Sequence, residues 1–415
     1  MRGDKLRHPE LLMPASSPEV LRTAVNFGAD AVYIGGEAFG LRAKAKNFSM
    51  EDMEEGIRYA HERNVRVYVT ANILAHNRDL EPVREYFREL KKIGPDALII
   101  ADPAVYEIAC EEVPEIERHI STQANNTNYG TYLFWHKLGA KRVVSARELS
   151  LEELREIRER IPEDMEIETF VHGAMCISYS GRCLLSNALT GRDANQGSCT
   201  HPCRWKYALM EETRPGEYMP VEENERGTFL YNSRDLCMIG HIPELVQAGI
   251  DSFKVEGRMK TALYVASVCR AYRQALDEYA KDPAFYEANK ERHEAEVRNC
   301  TTRPFCTGFF FGKPGPESMT YDNSTYETRY TYLGIVSNVR GDGSFLLEQK
   351  NKFSVGETLE IMKPSGQDVK ARVLKIVNQD GEEQESAPHA RQLLYVTLSE
   401  TPEEGDLLRI RREEA

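Results

Sequence analysis

Eight short apolar runs alternate with amphipathic segments at intervals near ~30 residues over the first ~280 positions, and no other feature narrows the possible fold so far. They are LLMPA (Leu11–Ala15), AVYIG (Ala31–Gly35), RVYVTAN (Arg66–Asn72) and ALIIAD (Ala97–Asp102), then HISTQ (His119–Gln123), RVVSAR (Arg142–Arg147), EIETFVHG (Glu166–Gly173) and SFKVEG (Ser252–Gly257). Rich in Val, Ile, Tyr and Phe, they read as buried strands. The segments between them carry helix ends. Ser17 is an N-cap followed by Pro18, with Gly28 closing that helix, and Asp102–Pro103 starts another bearing Val105, Ile108 and Ala109. Ser150 and Glu153 form a capping box ahead of Leu154, Ile157 and Ile161, and TALYVASVCRAYRQALDEYA follows the eighth run as a long helix. The pattern predicts an α/β fold, a (β/α)8 TIM-like barrel over residues 1–280. An open doubly wound sheet is the alternative, and the count of eight and the even spacing favour the barrel.

One connection breaks the rhythm, with roughly 80 residues between the seventh and eighth runs. Residues 281–328 read as a connecting arm, rich in Gly, Pro and aromatics around TTRPFCTGFFFGKPGPESMTYDN. From residue 329 to 415 the period changes to two, in YTYLGIVSNV, SFLLEQ, TLEIMK, KARVLKIV, QLLYVTLS and DLLRIRR, which predicts a small antiparallel β-barrel domain. NQDGEEQESAPHA is expected to be a mobile hairpin tip.

The formal net charge of −13 argues against a general nucleic-acid coat, though not against a local basic pocket. The start, MRGDKLRHPE, has no apolar stretch behind it, and no run of about 18 apolar residues occurs. A cytoplasmic protein without a membrane segment is the expectation, and in that compartment clustered cysteines bind metal or do redox chemistry more often than they pair.

Four of the nine cysteines fall in the interrupted connection, HGAMCISYSGRCLLSNALTGRDANQGSCTHPCRWKY, at Cys176, Cys183, Cys199 and Cys203 within an insertion over 172–228. The first pair is too wide for a standard zinc knuckle. By spacing alone, an iron–sulfur cluster, a zinc site and unpaired structural thiols all stay open. Cys176 lies just past the seventh strand, and barrels of this class carry their chemistry on the loops at that end. Gly173, Gly181, Gly191 and Gly197 allow tight turns that aim amides at sulfur, and Arg182, Arg192 and Arg204 suit an anionic cluster or ligand. Cys110 and Cys269 read as core residues, and Cys300 with Cys306 as a weak second metal pair.

ETFVHGAMCISYSGRCLLS, together with LLMPASSPEVLRTAVNFGADAVYIGG, ISTQANNTN, GSCTHPCRWKY, LYNSRDLCMI, AGIDSFKVEGRMK and RPFCTGFFFGKP, resembles the collagenase-like peptidase family U32. The resemblance covers most of residues 10–315, and the C-terminal β-domain is similar to the family's usual appendix. It implies an oxygen-independent hydroxylase holding a 4Fe–4S cluster on Cys176, Cys183, Cys199 and Cys203. Members include enzymes that hydroxylate the tRNA wobble uridine at C5 with prephenate as co-substrate, others that modify a ribosomal cytidine, and paired proteins that hydroxylate a quinone precursor. The length and the single barrel with one β-domain most resemble the tRNA branch. The partners so implied are the tRNA anticodon loop, a small dicarboxylate and a protein of the same modification pathway. A protease, as the family name says, and a non-catalytic docking partner are the other readings. HERNV and HEAEV both lack the second His of a zinc-protease motif.

Strand ends supply further site candidates. Lys254, Glu256 and Arg258 alternate in KVEGRMK and so share a side that would meet the barrel mouth or interior, with Arg258 gripping one carboxylate of the dicarboxylate; a purely structural ion network is the alternative. His172 would move a proton or serve as a core histidine. Gln123 and Asn125 would read a base edge or a carboxylate. Gly35, Gly36 and Arg42, with Lys44 and Lys46, form a weak phosphate-loop and RNA-strip signal that is also consistent with a solvated face.

Overall fold

The computed structural model describes residues 8–36, 39, 47–176, 179, 183–192, 194, 199–202, 208–209, 219–220, 234–300, 303–313 and 329–411. The first barrel comprises β1 (Glu10–Pro14), β2 (Ala31–Gly35), β3 (Arg66–Ala71), β4 (Ala97–Ile100), β5 (Glu117–Ile120), β6 (Arg142–Val144), β7 (Glu166–Gly173) and β8 (Ser252–Val255). All eight are parallel, and β8 pairs with both β7 and β1, so the sheet closes. The open-sheet alternative is thereby excluded.

The helices that cover the barrel are α1 (Pro18–Asn26), α2 (Met50–His61), α3 (Leu80–Ile93), α4 (Pro103–Glu112), α5 (Tyr129–Lys137) and α6 (Leu151–Arg160). Their starts follow local chemistry. The Ser17 hydroxyl accepts from Val20 N, Asp102 accepts from the amides of Ala104 and Val105, and Ser150 with Glu153 closes a reciprocal box. Gly28, at φ +102°, turns the chain out of α1. Buried Val, Leu and Ile of the strands meet α1 to α6, each such side chain contributing roughly 1.5–3 kcal/mol.

After β7 come α7 (Leu185–Thr190) and α8 (Ile242–Gln247), and after β8 come α9 (Ala262–Lys281) and α10 (Pro283–Val297). The short strand Asp235–Cys237 runs antiparallel to the end of β7, pairing Leu236 with Gly173 and Cys237 with His172. On its other side it pairs with Phe305–Cys306. Within 281–328, α10 thus packs on α9 and Phe305–Cys306 joins the barrel sheet.

The second barrel is closed and antiparallel, in the order β9 (Tyr330–Ser337), β10 (Phe345–Glu348), β13 (Leu393–Leu398), β12 (Val369–Val377), β11 (Thr358–Met362) and β14 (Leu407–Arg411), with β14 returning to β9. Alternate residues such as Leu394, Val396 and Leu398 fill its own core. The expected mobile tip is instead pinned: Asn378 Oδ1 accepts from the amides of Asp380 and Glu382, and Ser386–Ala387 pairs with Phe353–Ser354. An Asx turn supplies the local order that composition concealed. This barrel docks on the first through apolar contact, with Tyr332, Met362 and Leu407 joining the first core, and through charge. Asp368 accepts from Arg270 of α9 at 2.5 Å and from Arg409 of β14 at 3.0 Å, while Glu296 of α10 takes Arg270 at 2.6 Å. Tyr332 and Lys350 reach Glu19 of α1 at 2.7 and 2.9 Å. Among the described residues, no helix is long and apolar enough to cross a membrane.

Candidate active site

The base of the first barrel is a closed ion network. Glu10, at the start of β1, accepts from Arg142 Nη1 at 2.6 Å, Tyr68 OH at 2.6 Å, Ser252 Oγ at 2.9 Å and Arg66. Arg142 also donates to Glu166 at 2.7 Å and Glu168 at 3.1 Å, and Lys254 donates to Glu168 at 2.6 Å. Burial pushes the Glu10 carboxyl up, but the guanidiniums of Arg142 and Arg66 outweigh it and hold it at about 2. Burial lowers Lys254, against the pull of Glu168. His119, edge-on to Tyr68 at 4.8 Å, is lowered by burial and then by Arg142.

Above this plug lies the end where the strands' C-termini open. Lys254 belongs to the plug, with Nζ 4.4 Å from the Tyr33 ring centre and 5.6 Å from that of Phe170. Arg258 is buried at the mouth and donates from Nη1 to Thr70 Oγ1 at 2.9 Å. Gly35 makes this approach possible, since a Cβ there would stand 2.8 Å from Arg258 Nη1. Glu256 lies instead beside Arg147, at 3.7 Å, and Arg147 is stacked 3.9 Å over Phe170. Lys254, Glu256 and Arg258 therefore take three different partners. β8 ends at Val255, so Glu256 and Arg258 lie in the turn beyond it, where the alternation of a strand no longer applies.

Gln123 and Asn125 follow β5. Gln123 Oε1 accepts from Asn72 Nδ2 at 3.0 Å. Asn125 adopts the left-handed conformation at φ +55° and turns its amide back onto Thr122 O at 3.4 Å, closing the turn. His172 sits between aromatic rings, with Tyr264 at 6.0 Å, Tyr272 at 5.6 Å and Phe305 at 5.3 Å. Burial, then Lys260, lowers it to about 3, so its ring is neutral at physiological pH. This placement is that of a packed core ring. Arg42, Lys44, Lys46 and Cys203 lie outside the described residues.

Gly173 ends β7 at φ +105°, and a Cβ on it would stand 2.5 Å from Glu256 O. The thiol loop and the Arg258 loop thus leave the barrel in backbone contact. Cys176, three residues on, is exposed; Cys183 and Cys199 are half-buried. Thr200 N donates to Ser186 Oγ at 3.0 Å, which ties the segment bearing Cys199 to α7, the helix just after Cys183. His201 N donates to Cys199 Sγ at 3.4 Å, the kind of bond a metal-bound thiolate accepts. This set of soft sulfur donors with an amide aimed at one of them fits a thiophilic metal or cluster. Among the described residues no three His, Cys, Asp or Glu side chains are gathered as a metal site, and that holds for Cys300 and Cys306 too. Burial pushes Cys237 and Cys300 up to about 12, so both stay protonated.

Sequence reasoning did not single out Arg147, Thr70, Asn72, Ser121 or Glu168. Their signal was a polar residue at the end of, or inside, an otherwise apolar strand run, as in RVVSAR and EIETFVHG.

The model of peptidase family U32 matches residues 16–320, and that of the peptidase family U32 C-terminal domain matches residues 328–409. A protein of Bacillus subtilis (strain 168) described as tRNA hydroxylation protein P1 is 39% identical over 404 residues, 97% of this chain and 95% of that one. The tRNA hydroxylation protein P of Escherichia coli (strain K12) is 37% identical over 398 residues, 86% of this chain and 87% of its own. The 23S rRNA 5-hydroxycytidine C2501 synthase of the same bacterium is 39% identical over 268 residues, 65% of this chain and 39% of its own.

Proposed function

Because the chain belongs to peptidase family U32, with relatives named for RNA hydroxylation along most of its length, we propose that it hydroxylates the wobble uridine of tRNA at C5 and depends on prephenate. One observation supports the reading. The segment that leads to Cys176 and the loop that carries the buried Arg258 diverge from a single backbone contact, Gly173 against Glu256.

A 4Fe–4S cluster would be held by Cys176, Cys183, Cys199 and Cys203 and would supply one-electron chemistry there. The chain's own residues bind and orient. Arg258, steadied by Thr70, grips one carboxylate of prephenate in two-point fashion. Arg147, flattened on Phe170 and 3.7 Å from Glu256, is a second cation for the same acid. The Glu10–Arg142–Glu168–Lys254 plug occupies the floor of the barrel, opposite the mouth. The target base, flipped out of the anticodon loop, enters the same mouth. Tyr179, Leu184 and Met259, which are large, exposed and next to the thiols or Arg258 in the chain, offer surfaces on which an unpaired base can stack.

Mass spectrometry of tRNA nucleosides from a deletion strain tests the reading. Loss of 5-hydroxyuridine and its derivatives is the expected result. Unchanged levels, in a host that makes them and has no second gene of this family, would reject it. Loss of a ribosomal 5-hydroxycytidine instead would move the substrate to ribosomal RNA, the direction in which the partial likeness to the rRNA enzyme points.

A further inference from the structure

Thr70 and Asn72, two residues apart at the end of β3, fall on the same side of the strand. Thr70 Oγ1 accepts from Arg258, and Asn72 faces β5. Asn72 Nδ2 donates to Gln123 Oε1 at 3.0 Å and to Ser121 Oγ at 3.2 Å, and the Ser121 hydroxyl donates to the same Gln123 oxygen. Asn72 and Ser121 are buried, whereas Gln123 is half-exposed. In this arrangement the amide oxygen takes both donors. Oε1 points into the network and Nε2 points away from it, and Nε2 has no hydrogen-bond partner among the described residues. Gln123 therefore presents two N–H donors at the mouth, and the group that completes it is a carbonyl or carboxylate oxygen.

We propose that Gln123, oriented by Asn72 and Ser121, selects uracil over cytosine by donating to O4 of the target base. The inference rests on reading the mouth as an RNA hydroxylase site. The two pyrimidines differ beside C5: uracil carries an acceptor oxygen at C4, cytosine an amino donor. A fixed donor facing that amino group leaves both unsatisfied, and a site built around one hydrogen bond rejects the ligand that cannot make it. The same bond holds the carbon next to the one that is hydroxylated. Arg258, on the other flank of β3, remains for the small acid.

The test uses the full-length holoprotein, purified without oxygen, and two anticodon stem–loop RNAs that differ only in uridine or cytidine at the first anticodon position. Competition binding and nucleoside mass spectrometry read the preference. The wild type is expected to favour uridine by on the order of tenfold. Gln123→Glu keeps one oxygen on Asn72 and Ser121 but turns an acceptor toward the base, and the preference should fall by about tenfold or more and move toward cytidine. Asn72→Ala frees the amide to rotate, so the preference should fall toward parity while the uridine stem–loop still binds. Circular dichroism checks that each variant is folded, and Gln123→Ala, expected to lose the preference too, replaces any that is not. A preference within about twofold of wild type in the Gln123 variants would overturn the proposal. So would a change confined to the KM for prephenate, which would make Gln123 a ligand of the acid. A wild type that modifies neither stem–loop would remove the hydroxylase reading itself, whereas uridine hydroxylation with unaltered preference in the variants removes only the role of Gln123.

Discussion

The carboxylate of Glu10 gathers donors that are far apart in the chain; Arg142 lies 132 residues away and Ser252 lies 242. Its depressed pKa links to stability with a definite sign. Because the folded value, about 2, lies below the ordinary 4.5, the contribution is present in full above pH 4.5 and is lost as the pH falls toward 2. At neutral pH it amounts to about 3 kcal/mol. Glu10→Gln should be less stable by that order at pH 7, and its urea midpoint should change less than that of wild type between pH 4.5 and 2. Equal slopes in the two proteins over that window would show that the plug does not depend on this charge. Of this network only Lys254 was legible in the sequence, as a charge in an apolar run with a structural ion network as one reading; Glu10, Arg142 and Glu168 were not. Only closure of the barrel brings Arg142 to Glu10. The trio Lys254, Glu256 and Arg258 was legible as three charges at period two, but the strand stops at Val255, so Glu256 and Arg258 take their partners from a turn.

At the scale of elements, the strand runs, the caps at Ser17, Asp102 and Ser150 and the six strands of the second barrel were legible because local chemistry decides them. The thiol loop was legible as a concentration of cysteines, and its attachment to α7 through Ser186 and Thr200 was not, because that bond depends on how the loop returns. The loop makes a compositional prediction. Protein purified without oxygen should hold about four iron and four sulfide per chain with a broad brown absorption. Cys176→Ala and Cys199→Ala should each lose most of that iron while far-ultraviolet circular dichroism is retained, since the eight strands close without the loop. A single tightly held zinc, or iron that survives both substitutions, would contradict the cluster.

For the whole molecule, the change to period two at residue 329 marked where the second barrel begins, but not that it is fastened to the first. The fastening draws on α9, α10 and the second barrel at once: Asp368 and Glu296 share Arg270 and Arg409, both nearly solvent-free. Asp368→Ala removes one of the acids that two buried guanidiniums share, leaving Glu296 and Glu360, and should lower stability by roughly 2 kcal/mol. Calorimetry should then resolve two transitions where the wild type has one, and an unchanged single transition would show the two barrels to be joined by other contacts. A last consequence concerns the meeting of Gly173 with Glu256. With only a hydrogen atom between one main chain and the other, no rotamer there can absorb a displacement. If a small acid binds Arg258 as proposed, its pull would reach the anchorage of the sulfur-bearing segment, and occupancy on one side of the doorway would be felt mechanically on the other.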